Sequence, residues 1–228
     1  NINDNDGHGT HTAGTVGALP LAISARNTLG KVALAQKNAR SAAALFDENR
    51  SLAQNAGLGR QEAQALTNLG VAMLRTQDLA AAERSFTGAI EVATTASDTR
   101  ERAIATENLA VLAHLRHDYA RAQGFYNEAV ALLKRLGNRA MLARVANNLG
   151  ELYLSIGDRD RARTLCEFAT HVGGAALPPS VAGEGLLLRG RVEAAYGNIG
   201  SARAAFEAAH RTFERLGVSR VADPLLEL

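Results

Sequence analysis

Several residue types are scarce in this chain of 228 residues, and each scarcity excludes a class of protein. The single cysteine, Cys166, excludes a disulfide framework and a cysteine-rich zinc module. The 4 prolines and 21 glycines are too few for a collagen-like or wholly disordered chain. No apolar run reaches the ~18 residues that a membrane-spanning helix needs, so we predict no membrane partner.

The charge balance and the low aromatic content exclude further classes of protein. The 25 basic and 23 acidic residues leave a net charge of +2, which gives no reason to expect a nucleic-acid partner. Aromatic residues make up only 4% of the chain and tryptophan is absent, so alanine must supply much of the close packing, as it does between helices. Lysine occurs only at Lys31, Lys37 and Lys134, and a chain this rich in arginine and alanine is typical of GC-rich bacteria. We expect a cytoplasmic protein without a cofactor.

What the chain does contain is an internal repeat with a period of 40 residues. The recurring positions are Leu29, Leu69, Leu109 and Leu149; Gly30, Gly70, Ala110, Gly150 and Gly190; Ala42, Ala82, Ala122, Ala162 and Ala202; Phe46, Phe86, Tyr126, Cys166 and Phe206; Ala89, Ala129, Ala169 and Ala209; and Asn38, Asp78, Asp118, Asp158 and Asn198. A fixed period of this size predicts an array of stacked supersecondary units. The five units are expected at about 23–62, 63–102, 103–142, 143–182 and 183–222.

Each unit is predicted to contain two helices, here called helix A and helix B. In the second unit, apolar residues at helical spacing predict helix A over about 62–76 and helix B over about 79–94. Asp78 stands between them and is suited to cap helix B. The glycine column lies inside helix A, where glycine costs about 1 kcal/mol relative to alanine, so it predicts a crossing that admits no larger side chain. The aromatic column is expected to fill the gap between successive units, with Cys166 as a small buried hydrophobe.

These columns resemble the tetratricopeptide repeat family. Leu69-Gly70, Ala82, Phe86 and Ala89 match its pattern of about 34 residues in order and spacing, with about six further residues in each unit here. The Asn-Leu-Gly form is most similar to the repeats of spindle-orientation Gα-regulator scaffolds. It also resembles bacterial peptide-pheromone receptors and the sensor arrays of large bacterial transcription regulators. The resemblance covers residues 21–228. It implies an all-α fold, an α-solenoid of five helix-turn-helix repeats in a right-handed superhelix, after a short irregular N-terminal tail.

The same resemblance implies that the A helices line a concave groove that binds a protein or an extended peptide. The residue before each Leu-Gly pair points into that groove. This column holds Thr28, Asn68, Asn108, Asn148 and Leu188, and its three asparagines form a ladder of amides. An asparagine amide offers both a donor and an acceptor, so it can pair with both groups of a peptide backbone. The alternative for this column is a hydrogen bond between helices or simple solvation.

Further side chains of mixed charge are expected to share the groove. They are Lys31, Gln64, Arg75, Glu107, His114, Arg144, Asn147, Glu151 and Arg191. The Lys, Asn and Arg pattern that relatives use to clamp a chaperone's C-terminal carboxylate is absent, because only Asn68 fits it. His114 and His117 are three residues apart, but without a third ligand they predict a solvated or capping role and no metal site.

Residues 4–17 stand apart from the repeat and resemble the histidine motif of subtilisin-like serine peptidases. By that resemblance His8 would be the general base, which needs a serine to activate and an aspartate to orient it. The family's Gly-Thr-Ser motif occurs nowhere in the chain, and its aspartate motif is missing too. We therefore predict no catalytic residue, no enzyme and an irregular tail over residues 1–20. A weak divalent-ion site at Asp4, Asp6, His8 and His11 is the less favoured alternative.

Two functions remain in competition. The first is a non-catalytic scaffold that binds a protein or peptide through the A-helix groove. The second is a sensor or accessory repeat region of a larger bacterial regulator or subtilisin-like peptidase. Because the chain begins with asparagine, we expect a fragment or a processed chain of a longer protein, in which Leu225-Leu226 begin a cap or another repeat. The glycines of the fifth unit predict a kink or a looser contact there.

Overall fold

A computed structural model of the chain describes the backbone of residues 8–174 and 177–217, and the side chains from residue 18 onward within these ranges. The predicted cap after Pro224, and Asp4 and Asp6 of the alternative ion site, lie outside the described residues. The chain divides into two compact units, Asn1–Asn108 and Leu109–Leu228, which are described separately below.

The described residues form ten α-helices and no strand, which confirms the all-α prediction. The helices are α1 (His8–Ala35), α2 (Ala39–Asn55), α3 (Gly59–Arg75), α4 (Leu79–Thr95), α5 (Thr99–Leu115), α6 (Tyr119–Leu136), α7 (Arg139–Ser155), α8 (Arg159–Gly173), α9 (Pro179–Ala195) and α10 (Ile199–Arg215). Odd-numbered helices are the A helices of the repeat and even-numbered helices are the B helices. The right-handed superhelix stays a prediction.

The turns between A and B helices are built by the recurring polar residue. Asp78 accepts a hydrogen bond from the amide of Ala81 at 2.9 Å, which confirms it as the N-cap of α4. The same bond recurs at three other turns, where Asn38, Asp118 and Asp158 accept from the amides of Ser41, Arg121 and Arg161. Asn198 differs, because its side-chain amide donates to Glu193 instead.

The residue before each cap adopts the left-handed conformation that ends helix A. Glycine occupies this position in two turns, but Lys37, Gln77 and His117 hold it with φ of 61°, 64° and 60°. In the second turn the amide of Asp78 donates to the carbonyl of Met73, and the amide of Gln77 to that of Leu74. This is the Schellman arrangement, which satisfies the last carbonyls of helix A.

Replacing Gln77 by glycine is expected to raise the free energy of unfolding by about 0.5–1 kcal/mol. An L-residue in the left-handed region is strained by about 1–2 kcal/mol, and the gain in the unfolded-state entropy of glycine offsets part of the relief. Chemical denaturation measures the change, with Gln77→Ala as a control that keeps the strain. A loss of stability in Gln77→Gly would show that the glutamine side chain stabilises the turn.

In the first unit, α1 packs on α2, α2 on α3, and α3 on α4. Phe46 is fully buried and shares a cluster with Leu69 and Ala72 of the following repeat. Its ring also covers Gly30 of its own repeat, where an added Cβ would lie only 2.7 Å from Cζ. The glycine column is therefore crowded, and the aromatic column fills the gap between these repeats, as the sequence predicts.

In the second unit the aromatic column is interrupted at Cys166, which is buried and whose thiol pKa burial raises to about 11. Opposite it, Gly150 is covered by Leu188, whose Cδ2 would lie 2.7 Å from an added Cβ. Leu188 is fully buried, so the expectation that it lies in the groove column is wrong. A thiol is smaller than an aromatic ring, and Leu188 occupies the space that remains.

Helix α1 begins at His8, so the prediction of an irregular tail is wrong for residues 8–20. The local composition is poor for a helix, and Pro20 lies inside it. Extending a helix that already exists avoids the cost of nucleation, and the part of α1 packed on α2 supplies that start.

The fifth repeat begins after a longer connection between helices, and its A helix is not interrupted. Helix α8 ends at Gly173, and α9 starts with Pro179 at its first position, where the missing amide hydrogen costs nothing. Gly183 faces Phe213, whose Cζ would lie 2.7 Å from an added Cβ. The glycines of α9 thus allow close packing, and α9 continues to Ala195.

Candidate functional site

In the first unit, the predicted groove residues lie on the A helices α1 and α3 and, for Glu107 and Asn108, on α5. Asn68 is half-buried and its Nδ2 donates to Oδ1 of Asn27 at 2.7 Å, so the amide links the two A helices. Lys31 and Arg75 are exposed. The amide of Asn68 therefore has a structural partner, and its second N–H and its oxygen can still serve a ligand.

Asn108 also lies half-buried on its A helix, but its bonding differs. Its Nδ2 donates to the carbonyl of Ile104, one turn earlier in α5, at 2.8 Å. The ladder residues are thus not equivalent, because one bonds to a neighbouring helix and another to its own backbone. The alternative of a helix-to-helix hydrogen bond holds for one N–H of Asn68.

In the second unit, α7 presents Arg144, Asn148 and Glu151 at i, i+4 and i+7, and all three are half-buried. Glu151 Oε1 accepts from Arg191 of α9 at 2.9 Å. This places a cation, an amide and an anion in sequence along one helix face, beside a second cation. We call Arg144, Asn148, Glu151 and Arg191 the α7–α9 surface.

A histidine pair at the edge of the second unit is held by neighbouring hydroxyl groups. His114 Nε2 lies 3.0 Å from Ser155 Oγ, and His117 Nδ1 lies 2.9 Å from the Tyr119 hydroxyl. The Ser155 hydroxyl donates to the carbonyl of Glu151 at 2.9 Å, so His114 must be the donor in its contact with Ser155. Burial, and then His117, lower the pKa of His114. A neutral histidine that donates to the serine does not activate it.

Besides Leu188, two further predicted groove residues are buried, and their assignment to the surface is wrong. Glu107 and Asn147 are 4% and 3% exposed. The Nδ2 of Asn147 donates to the carbonyl of Val181 at 3.3 Å, and its amide packs against Gly185. Each lies one position before the ladder residue of its repeat, and a step of one residue turns the side chain about 100° around the helix, away from the surface.

The repeat pattern did not predict the buried polar side chains that hydrogen-bond to adjacent helices. Asn49 is 1% exposed and its Nδ2 donates to the carbonyl of Ile23 at 3.0 Å, which ties α2 to α1. The corresponding position is alanine in all four later repeats. An asparagine in a column that is otherwise alanine was the sequence feature from which this contact could have been predicted.

Asp98 and Arg60 form the shortest ion pair described in the first unit. The carboxylate caps α5, accepting from the amides of Arg100 and Glu101, and lies 2.5 Å from Arg60 Nε. Burial raises the pKa of Asp98, but the hydrogen bonds from Glu101 and Arg60 outweigh it, and the pKa lies below its usual value. Folding therefore favours the ionised form.

Asp98→Ala is expected to lower the free energy of unfolding by about 1 kcal/mol at neutral pH, the usual loss for a helix cap. Because the folded pKa is depressed, the stabilisation is present above the unfolded pKa of about 3.9 and is lost as pH falls through the folded value. Urea melts across the acidic range measure this, with Asp98→Asn as the variant that keeps a cap and loses the charge. A pH-independent difference between Asp98→Asn and the parent would contradict the depressed pKa.

Other kinds of site find no support among the described side chains. Within residues 18–174 and 177–217, no three His, Cys, Asp or Glu side chains cluster as metal ligands would. In the part of the chain that the structure covers, no helix combines the length and apolar character of a membrane span. Of residues 8–17, which include His8 and His11, only the helical backbone is described.

Comparison with known proteins shows which fold these helices share. A family model described as tetratricopeptide repeat matches residues 101–167. A comparison with curated proteins finds no match. Among solved structures, BtubC (BKLC) from P. vanneervenii has a TM-score of 0.71 and 25% sequence identity, covering 91% of this chain and 85% of its own.

Two Rap proteins are similar in fold at lower identity. The Rap conjugation gene regulator of plasmid pLS20, in complex with the Phr* peptide, has a TM-score of 0.74 and 13% identity over 94% of this chain. A Rap protein complexed with Competence and Sporulation Factor has a TM-score of 0.73 and 14% identity over 83%. This chain spans only 60% and 53% of those two proteins. The described helices therefore have the all-α helical-repeat fold of tetratricopeptide proteins.

Proposed function

We propose that this chain is a non-catalytic scaffold that binds an extended peptide or protein segment along its A helices. The α7–α9 surface is the best-formed binding site, and Asn68, Asn108, Lys31 and Arg75 form a second surface in the first unit. The observation that carries the proposal is the half-buried row on α7, where Arg144, Asn148 and Glu151 share one face.

The chemistry of the row fits a peptide backbone. An amide provides one donor group and one acceptor, which matches the N–H and C=O of an extended chain. The charged neighbours of Asn148 have both signs, so they orient a ligand without selecting one of high net charge. The helices supply a rigid base, which lowers the entropy lost when a flexible peptide binds.

Similar structures give this proposal a second support. The two Rap proteins that share the fold are described with the Phr* peptide and with Competence and Sporulation Factor. The proposal includes a cytoplasmic location and the absence of nucleic-acid, membrane and catalytic functions. A sensor region within a larger bacterial regulator would use the same surface, with the peptide as its signal.

Substitution of Asn148 by alanine is expected to weaken peptide binding about tenfold. Losing the amide leaves polar groups of the bound backbone unpaired, at about 1–3 kcal/mol. The ligand is a peptide selected from a random library displayed on phage and panned against the full chain, and calorimetric titration measures its affinity. Affinity should change little with salt, because the amide is uncharged.

Asn127→Ala is the matched control, because Asn127 is exposed on the B helix α6. Melting curves must show that both variants keep the parent's stability. Unchanged affinity in Asn148→Ala, or an equal loss in Asn127→Ala, would remove the α7–α9 surface from the proposal.

A further inference from the structure

The side-chain amide of Asn68 is held by a residue of the preceding repeat. Its Nδ2 donates to Oδ1 of Asn27 on α1 at 2.7 Å. Asn68 is half-buried, whereas Asn27 is only 9% exposed. A buried acceptor therefore holds an amide that is itself partly open to solvent.

Asn27 is a rigid anchor because the helix around it is fixed by other contacts. Ile23, one turn earlier in α1, is buried, and its carbonyl accepts from Asn49 of α2 at 3.0 Å. Gly30, three residues after Asn27, is buried under the ring of Phe46. Residues at these spacings lie on the same side of a helix. The backbone that carries Asn27 is thus held in place without a ligand.

The equivalents of Asn27 in two later repeats bond differently. Thr67 donates its hydroxyl to the carbonyl of Ala63 in its own helix at 3.0 Å. Asn147 donates to the backbone carbonyl of Val181 in α9 at 3.3 Å. Of these three equivalent side chains, only that of Asn27 has a ladder amide as its partner in these contacts.

The bond determines how Asn68 can meet a ligand. It uses one N–H of the amide and leaves the second N–H and the oxygen for another partner. The terminal torsion of an asparagine side chain has broad preferences, so an amide without an anchor samples several orientations. A ligand that must order the amide binds less tightly. The anchored amide presents its remaining donor and acceptor in one direction.

Asn108 provides a comparison within the same unit. Its Nδ2 donates to the carbonyl of Ile104, in its own helix, at 2.8 Å. The orientation of this amide therefore depends on its own backbone and not on a second side chain. A change at Asn27 should disturb Asn68 and leave Asn108 as it is.

We propose that Asn27 is a positioning residue for the peptide-binding surface of the first unit. It accepts a hydrogen bond from Asn68 and so sets the direction in which that amide meets the backbone of an extended peptide. Because Asn27 is buried, it acts through Asn68 and not by touching the peptide. The inference rests on the proposed function, since it concerns the same surface.

Two substitutions of Asn27 separate its acceptor from its bulk. Asn27→Thr removes the amide oxygen, and the buried Thr67 shows that this column accepts a threonine whose hydroxyl bonds to its own helix. Asn27→Asp keeps an oxygen acceptor at the end of the side chain. Asn27→Thr should weaken peptide binding about fivefold, while Asn27→Asp should stay within about twofold of the parent. Asn55→Ala, exposed on α2, is the matched control and should bind as the parent does.

Two measurements on the full chain test the proposal. Calorimetric titration with the library-selected peptide compares Asn27→Thr, Asn68→Ala and the double variant. Asn27→Thr should cost no further affinity once Asn68 is alanine, because it acts only through that amide. Nitrogen-15 relaxation of the side-chain amides without peptide should show Asn68 more mobile in Asn27→Thr and Asn108 unchanged. Melting curves accompany each variant, and Asn27→Ala replaces Asn27→Thr if threonine disturbs the packing of α1.

The outcomes distinguish this inference from the proposed function. Full affinity in Asn27→Thr with a loss in Asn68→Ala overturns the inference alone. Full affinity after alanine replaces each ladder residue in turn removes the proposed function and the inference with it. Additive losses in the double variant, or an Asn68 amide as rigid in Asn27→Thr as in the parent, would assign Asn27 to helix packing. Equal losses in Asn27→Thr and Asn27→Asp would contradict the direction of the bond, in which Asn68 donates.

Discussion

Phe86→Ala is expected to lower the free energy of unfolding by about 3–5 kcal/mol, the usual loss for a fully buried ring. Phe86 has no exposed surface, and its ring lies directly over Gly70 of the same repeat. Neither Gly70 nor the adjacent helix can fill the space that the ring leaves, because glycine has no side chain and the helix is held by its own packing. The loss therefore combines the burial of the ring with a cavity that persists.

Chemical denaturation followed by circular dichroism measures this change. Phe125→Ala is the matched control, because Phe125 is half-buried on α6 and stacks with Arg121 at 5.7 Å. Its removal should cost distinctly less. Equal losses in the two variants would show that the aromatic column is no more important to the array than a surface ring.

Gly70→Ala is expected to destabilise the chain by up to about 2 kcal/mol, although alanine is the better helix former. The propensity gain of about 1 kcal/mol is outweighed by overpacking of about 1–3 kcal/mol. An added Cβ at Gly70 would lie 2.7 Å from Cδ1 of Phe86 and closer still to Cε1. A buried ring cannot turn away from that contact.

Gly88→Ala, in the next helix α4, is expected to stabilise the chain. There an added Cβ would lie 3.7 Å from Cδ1 of Leu66, an ordinary contact, so the variant should gain up to about 1 kcal/mol. The double variant Gly70→Ala with Phe86→Leu should lose less than the sum of its two single variants, because the smaller side chain makes room. Additive losses would show that the two positions do not press on each other.

The repeat columns were enough to predict the helices and their turns. Asp78 could be assigned as a cap because its contact is local, with an amide three residues on. Gly70 could be assigned to a crowded crossing because glycine inside a helix lowers its stability relative to alanine, and close packing explains why it is there. Both inferences rest on interactions that recur in most of the repeats, so one pattern reports on several of them.

What could not be predicted depends on departures from the pattern. Leu188 fills the space that Cys166 leaves, and no column contains that pairing. Asn147 is buried because it precedes the ladder residue Asn148 by one position, which turns its side chain about 100° around the helix. Spacing along the sequence alone did not separate these two directions. The link between Asn27 and Asn68 joins two repeats, so it depends on how they stack. Local propensity also misses the extension of α1 to His8, because packing elsewhere in the helix supplies its start.

The proposed peptide surface can be tested directly through the side-chain amide signals of asparagine. In a nitrogen-15 NMR titration of the full chain with a library-selected peptide, the signals of Asn148 and Asn68 should move, while that of Asn127 stays in place. The signals are assigned by single substitution of each residue. Movement of Asn127 with Asn148 and Asn68 unchanged would place the ligand on the B helices and contradict the account.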